Sequence, residues 1–263
     1  MVVEVLITIT SDFGLKDSYV AQMKGAILSI NPNAVLVDIT HNVEKFNVRH
    51  AAFMLASAVS FFPRGTVHLA VVDPRVGTER RAIVVQTEAG CFVGPDNGLL
   101  MLAAKSQCIK HVYRISNKKF VLSPISNTFH GRDIFAPAAA YLDRGILPSE
   151  FGLEVTDPFI PDFVEVRNEE GSFYGEVLHV DSFGNIITNI ALRDTQAIKM
   201  VRITLSNQTV DIPFRKVYGQ ANFKQEIALI GSHGFLEIAL NQGNASEEFQ
   251  VNIGDSIRVS PSS

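Results

Sequence analysis

Residues 66–74 read Thr66-Val67-His68-Leu69-Ala70-Val71-Val72-Asp73-Pro74, an almost unbroken apolar run that ends in a carboxylate and a proline. A half-exposed strand alternates apolar and polar residues, whereas a strand buried on both faces is apolar throughout. Such strands belong to sheets covered by helices, so this stretch predicts an α/β layer. The flanking sequence agrees with it. Strands are predicted over 5–10, 34–39, 82–87 and 111–115. Between them run helical patterns: 18–29, capped by Asp17 and stopped at Asn31-Pro32; 47–62, ending at Pro63; 99–104; and 133–142. The expected N-terminal fold is an α/β domain with a mostly parallel central sheet.

The texture changes after Pro148. Pro148, Pro158 and Pro161 fall in a stretch with little periodicity, the composition of a linker. Beyond it, short strand patterns at 173–180, 186–190, 199–205, 209–212, 226–231, 235–239 and 256–259 are separated by Gly, Asn and Asp. That spacing predicts a small all-β, barrel-like domain. The division expected is 1–157, a linker at 158–163, and 164–263. The closing Ser-Pro-Ser-Ser is read as a frayed tail.

Composition narrows the function. The 263 residues carry 23 Lys and Arg against 27 Asp and Glu, a net charge of −4, which lacks the basic field of a nucleic-acid binder. The longest apolar run, 51–62, is interrupted by serines and falls short of the ~20 residues of a membrane span, so it reads as a core helix. The N-terminus shows no basic region followed by a cleavage site, so no secretion signal is expected. Cys91 and Cys108 lack C-x-x-C spacing and read as buried thiols, which suits a cytoplasmic protein.

Polar clusters punctuate the strand ends. Thr10-Ser11-Asp12-Phe13-Gly14 follows the first strand and Asp73-Pro74-Arg75-Val76-Gly77 follows the buried one. Ligands of open α/β sheets bind at the carboxyl ends of strands, so Asp12 and Asp73 stand where a site belongs, although each alone also suits a turn or helix cap. Phe129-His130-Gly131-Arg132-Asp133 precedes a helix. In the β domain the polar segments are 181–189 and 231–239; the first equally suits a hairpin turn. His41, His50, His68, His111, His179 and His233 have no zinc-site spacing, and a phosphatase-like set of Asp12, Asp38, Asp73 and Asp96 lacks histidine partners. No P-loop, dinucleotide fingerprint or serine-hydrolase elbow occurs.

Taken together, Thr10–Gly14, Val72–Arg80, Gly94-Pro95-Asp96-Asn97-Gly98, Phe129–Asp133, Asp181–Asn189 and Gly231–Ala239 resemble the S-adenosyl-L-methionine hydroxide adenosyltransferases, relatives of the fluorinase and chlorinase. The segments lie in family order and span most of the chain. One departure is Arg75, where the family has glycine. The resemblance implies attack of water or hydroxide on C5′ of S-adenosyl-L-methionine, releasing L-methionine and adenosine, with no metal and no organic cofactor. It implies Asp73, Arg80 and His130 as the catalytic set; halogenases carry tyrosines at the equivalents of Asp73 and His130. It further implies Asp12 on the ribose hydroxyls with Phe13 packed nearby, and Asp181 and Ser232 on the methionine ammonium and carboxylate. Phe183, Asn185, Glu237 and the backbone to Ala239 would form the adenine pocket. His233 stands where the halogenases have arginine. A homotrimer with sites at subunit interfaces is implied as well. The residue types alone leave open which member of the catalytic set takes the proton. They also leave a halogenase, or a sensor that binds S-adenosylmethionine or adenosine without turnover.

Overall fold

The computed structural model describes residues 6–205 and 208–262, and the chain divides into two compact units with the boundary between Pro161 and Asp162. Val5, the expected start of the first strand, lies outside the described residues, as does Ser263.

The first unit runs β1 (Leu6–Ser11), α1 (Tyr19–Ile30), β2 (Val35–Thr40), α2 (Val48–Ala58), β3 (Val67–Val71), β4 (Ala82–Thr87), β5 (Cys91–Pro95), α3 (Met101–Ser106), β6 (Ile109–Arg114) and α4 (Ala136–Asp143). Its sheet has the order β2-β1-β3-β5-β4-β6. The first four strands in that order are parallel, while β4 runs antiparallel to both β5 and β6. It is a mixed, mostly parallel sheet. All five residues of β3 are buried, as its apolar run requires. Ile7 and Ile9 of β1 and Leu69 of β3 pack against Met23 and Ile27 of α1 and the alanines 138–140 of α4. Those small residues allow α4 to lie close to the sheet. Each fully buried Leu or Ile contributes about 1.5–3 kcal/mol.

Several local expectations need correction. Ser18, not Asp17, is the N-cap of α1. The second helix is shorter than expected: α2 ends at Ala58 and tightens into a 3-10 turn at Val59–Phe61 before Pro63. The strand β5, which ends in Gly94-Pro95, is not among the strands predicted from the sequence. Gly94 is required there, since a Cβ would meet the Ala70 carbonyl oxygen at 2.4 Å. The proline-containing stretch is not free chain: Pro148–Phe151 forms a 3-10 turn, Phe151 is fully buried, and Glu154 bridges to Tyr113. Cys91 packs at the core edge and burial pushes its thiol up to about 11, but Cys108 is exposed in a left-handed turn.

The second unit contains β7 (Arg167–Glu169), β8 (Ser172–Val180), β9 (Ile186–Thr188), β10 (Met200–Leu205), β11 (Gln208–Pro213), β12 (Glu226–Ile230), β13 (Leu236–Leu240), the short α5 (Ala245–Glu248) and β14 (Ser256–Ser262). The strand order is β11-β10-β14-β8-β9-β13-β12, with β7 against β8. Adjacent strands pair antiparallel, and a bridge from Phe214 to Ala228 joins the two ends of the path. This nearly closes the sheet into a barrel and leaves little open edge. Val201, Ile203 and Leu205 point inward, alternating with Arg202 and Thr204. The C-terminal residues are not frayed: Ser260, Pro261 and Ser262 pair with Arg202, Val201 and Met200.

Candidate active site

In the first unit, β1 and β3 are neighbouring parallel strands, so the residues that follow them emerge side by side. Asp12 follows β1, Asp73 lies two residues beyond β3, and His130 leads into a π-helical turn (Gly131–Phe135) that precedes α4. All three line one cavity of about 310 Å³, together with Phe13, Tyr19, Lys45, Phe46 and Phe129. Phe13, Tyr19 and Phe129 form a mutual aromatic cluster, with ring centroids 5.2–5.7 Å apart.

Asp73, Arg80 and His130 form one hydrogen-bonded unit. Arg80 donates from Nε to Asp73 Oδ2 at 2.8 Å and also from its terminal Nη2 to the same oxygen. That Nη2 also lies 2.7 Å from His130 Nδ1. The Asp73 and Arg80 side chains are each only 5% exposed, and the guanidinium lies over the Phe135 ring. Arginine only donates, so His130 Nδ1 accepts and carries no hydrogen. Burial, and then the Arg80 charge, hold the His130 imidazole below its ordinary value and keep it neutral at pH 7. Its hydrogen therefore sits on Nε2. Among the described residues Asp73 Oδ1 is buried with no hydrogen-bond partner. An orphaned buried carboxylate oxygen costs about 1–3 kcal/mol.

The surroundings hold this set in place. Arg81 turns away from Arg80 and donates to Asp96 and Asp157, and Asn97 Nδ2 donates to the Val72 carbonyl beside Asp73. The 73–77 turn tolerates Arg75 because that residue is not left-handed; the glycine it requires is Gly77, at φ 78° with the Asn127 carbonyl oxygen 2.3 Å from where a Cβ would stand. Arg132 chelates Asp133, which also accepts from the Ser126 amide. These contacts lower the Asp133 carboxyl against the effect of its burial and anchor the turn that carries His130. Asp12 accepts from the Phe46 amide at 2.9 Å, and Phe46 itself is left-handed at φ 64°.

In the second unit Asp181, Phe183 and Asn185 line a cavity of about 760 Å³ that also takes in Tyr218, Asn241 and Asn244. Asp181 accepts from the amides of Phe183 and Asn185 and from the Asn185 side chain, so it shapes its own hairpin as well as facing the cavity. Phe183 is 76% exposed. Ser232 is exposed in the turn before β13, while Glu237 and Ala239 are buried on β13 outside the cavity lining. Glu237 accepts from the Tyr218 hydroxyl and lies 3.2 Å from His233 Nε2. Burial and this contact push the Tyr218 hydroxyl up. Tyr218, Tyr19, Lys45 and Phe46 were not foreseen as lining residues. They sit in no short motif, and only the folding of distant segments onto one another brings them to the cavities.

Comparison with known proteins bears on the same segments. Residues 7–152 match the SAM hydroxide adenosyltransferase N-terminal domain and residues 175–258 the C-terminal domain of that family. The chain is 38% identical to an (R)-S-adenosyl-L-methionine hydrolase of Methanocaldococcus jannaschii, over 97% of this chain and 95% of that protein. A fluorinase of an Actinoplanes species is more distant, at 26% identity over 97% of each chain. A crystal structure of an uncharacterized conserved protein from Thermotoga maritima superposes with a TM-score of 0.83 at 38% identity, covering 97% of this chain and all of that one. Since both halves match in order and the similarity extends nearly end to end, the chain belongs to the SAM hydroxide adenosyltransferase family.

Proposed function

We propose that the protein hydrolyses S-adenosyl-L-methionine to adenosine and L-methionine by in-line attack of water at C5′. The observation that carries this reading is the buried, hydrogen-bonded unit of Asp73, Arg80 and His130, whose Asp73 Oδ1 has no hydrogen-bond partner among the described residues, in a chain whose hydrolase relative is much closer than the fluorinase. A sulfonium is already an activated leaving group, so the protein has only to hold and polarise the nucleophile. A water donates one hydrogen to Asp73 Oδ1 and accepts one from His130 Nε2, which leaves a lone pair for C5′. As the C5′–O bond forms, the C5′–S electron pair goes to sulfur, giving the neutral thioether of methionine, and the water's proton passes to Asp73. Arg80 takes no proton. It holds Asp73 Oδ2 and fixes the His130 tautomer. Nothing in this chemistry requires a metal or an organic cofactor. A halide would instead meet a carboxylate, and like charge disfavours it.

The assignments of the binding residues belong to the same proposal. Asp12 takes the ribose hydroxyls beside Phe13; Asn185, Phe183 and the strand from Glu237 to Ala239 take the adenine; Asp181 and Ser232 take the amino acid end. The chain acts as a cytoplasmic homotrimer, in which the α/β unit of one subunit works with the β unit of its neighbour. No helix among the described residues is long and apolar enough to cross a membrane. The test is chromatography of products after incubation with S-adenosyl-L-methionine, with and without chloride. Adenosine and methionine in equal amounts under both conditions support the hydrolase; a 5′-chloronucleoside, or no consumption at all, overturns it.

A further inference from the structure

We propose that His41, backed by Asp38, is a positioning residue that fixes Asp12 for the ribose diol; this rests on the assignment of Asp12 given above. His41 follows β2 and its side chain is almost fully buried. The parallel pairing of β1 and β2 is regular to Ile9 and Asp38, then skips Ile39 so that Thr10 pairs with Thr40. A skip of this kind re-aims the residues that follow. Beyond it, His41 Nδ1 lies 2.7 Å from Ser11 Oγ, and Nε2 lies 3.1 Å from Asp38 Oδ1. Lys24 donates to the other Asp38 oxygen at 2.6 Å. Burial opposes ionisation of Asp38, but the contacts with Lys24 and His41 hold its carboxyl below the usual range.

Ser11 Oγ joins the His41 ring at Nδ1 to the Phe13 amide, from which it accepts at 3.4 Å, while the Nε2 edge of the ring lies against the Asp38 carboxylate without the alignment of a hydrogen bond. The hydrogen-bonded chain thus runs from the Phe13 amide through Ser11 to His41, with Asp38 packed against the far edge of the ring. The same two loops are joined at the backbone: Gly14 donates to the His41 carbonyl at 2.7 Å and Val43 to the Ser11 carbonyl at 3.4 Å. Asp12 lies between these contacts, with Oδ2 accepting from Phe46. Ser, His and Asp in sequence suggest a hydrolytic triad, but Ser11 is fully buried and its hydroxyl is not among the groups lining the cavity. The chemistry left to this relay is orientation of the 11–14 loop.

The experiment compares calorimetric affinities for adenosine and 2′,3′-dideoxyadenosine in the full-length wild type, His41→Ala and Asp38→Asn. The wild type is expected to prefer adenosine by about tenfold or more, the effect of one lost charge-assisted contact. In His41→Ala that preference falls to less than about threefold while dideoxyadenosine affinity stays within about twofold, because only the diol contact is misplaced. A merely structural role would weaken both ligands together and leave the ratio unchanged; that outcome in folded His41→Ala overturns the proposal. If His41→Ala does not fold, Asp38→Asn, altered at the half-exposed end of the relay, is read by the same ratio: a fall supports the proposal and an unchanged ratio overturns it. A wild-type ratio near one would refute the ribose assignment of Asp12 itself, and this proposal with it.

Discussion

Arg80 works at three contacts from one planar group: two on Asp73 Oδ2 and one on His130 Nδ1. A lysine has one donor centre and cannot reach both partners in the same geometry. Arg80→Lys is therefore expected to lower kcat by about a hundredfold or more, with adenosine affinity nearly unchanged; single-turnover rates and calorimetry on one preparation check both. His130 adds a pH signature. Its pKa is held below 6.5 by burial and by Arg80, so the acid limb of kcat/KM should have its midpoint below that value. The linkage has a definite sign: the unfolded chain takes up a proton first, so the stability from neutral His130 is complete above 6.5 and is lost as pH falls through the folded value. A limb midpoint above 6.5 would contradict the neutral-imidazole assignment. Asp73, Arg80 and His130 are singled out as a set in the sequence only through the family resemblance, and the structure joins the three by hydrogen bonds. Their geometry is not legible in the sequence, because residue spacing carries no record of which guanidinium nitrogen serves which partner or which imidazole nitrogen bears the hydrogen.

At the scale of elements, the apolar run of β3 points to the α/β layer, and the close spacing of short strand patterns separated by Gly, Asn and Asp points to the all-β second unit. Stretches of turn-like composition are less legible: β5 is not among the predicted strands, and β14 is predicted only as far as Val259. Strand β5 ends in Gly94-Pro95, and β14 runs through Ser260-Pro261 because Val201 and Arg202 of β10 pair with them. In both, tertiary pairing overrides local propensity. The Asp73 turn yields a stability test. Gly77 combines a left-handed backbone with a carbonyl oxygen 2.3 Å from any Cβ, so Gly77→Ala should cost about 1–3 kcal/mol or more and depress activity as the 73–80 segment shifts. Urea unfolding curves measure the first effect and the specific rate the second. If Gly77→Ala matched the wild type in both, the turn would not be holding Asp73 against Arg80.

On the scale of the whole molecule, the proposed catalytic set lies in one compact unit and the proposed adenine contacts in the other. If the reaction needs both, the isolated unit 162–263 should bind adenosine at least about tenfold more weakly than the full chain, because the contacts of Asp12 are missing. Light scattering of the full chain tests the accompanying trimer proposal through a mass of three chains. Equal adenosine affinity of the isolated unit, or a monomeric active enzyme, would remove the shared site. The most direct test of the central claim follows the attacking oxygen. In a single turnover of S-adenosyl-L-methionine in heavy-oxygen water, mass spectrometry should find one heavy atom at the 5′-hydroxyl of adenosine, none in L-methionine, and neither product from Asp73→Ala on the same time scale. Unlabelled adenosine, or Asp73→Ala turning over at the wild-type rate, would contradict the account.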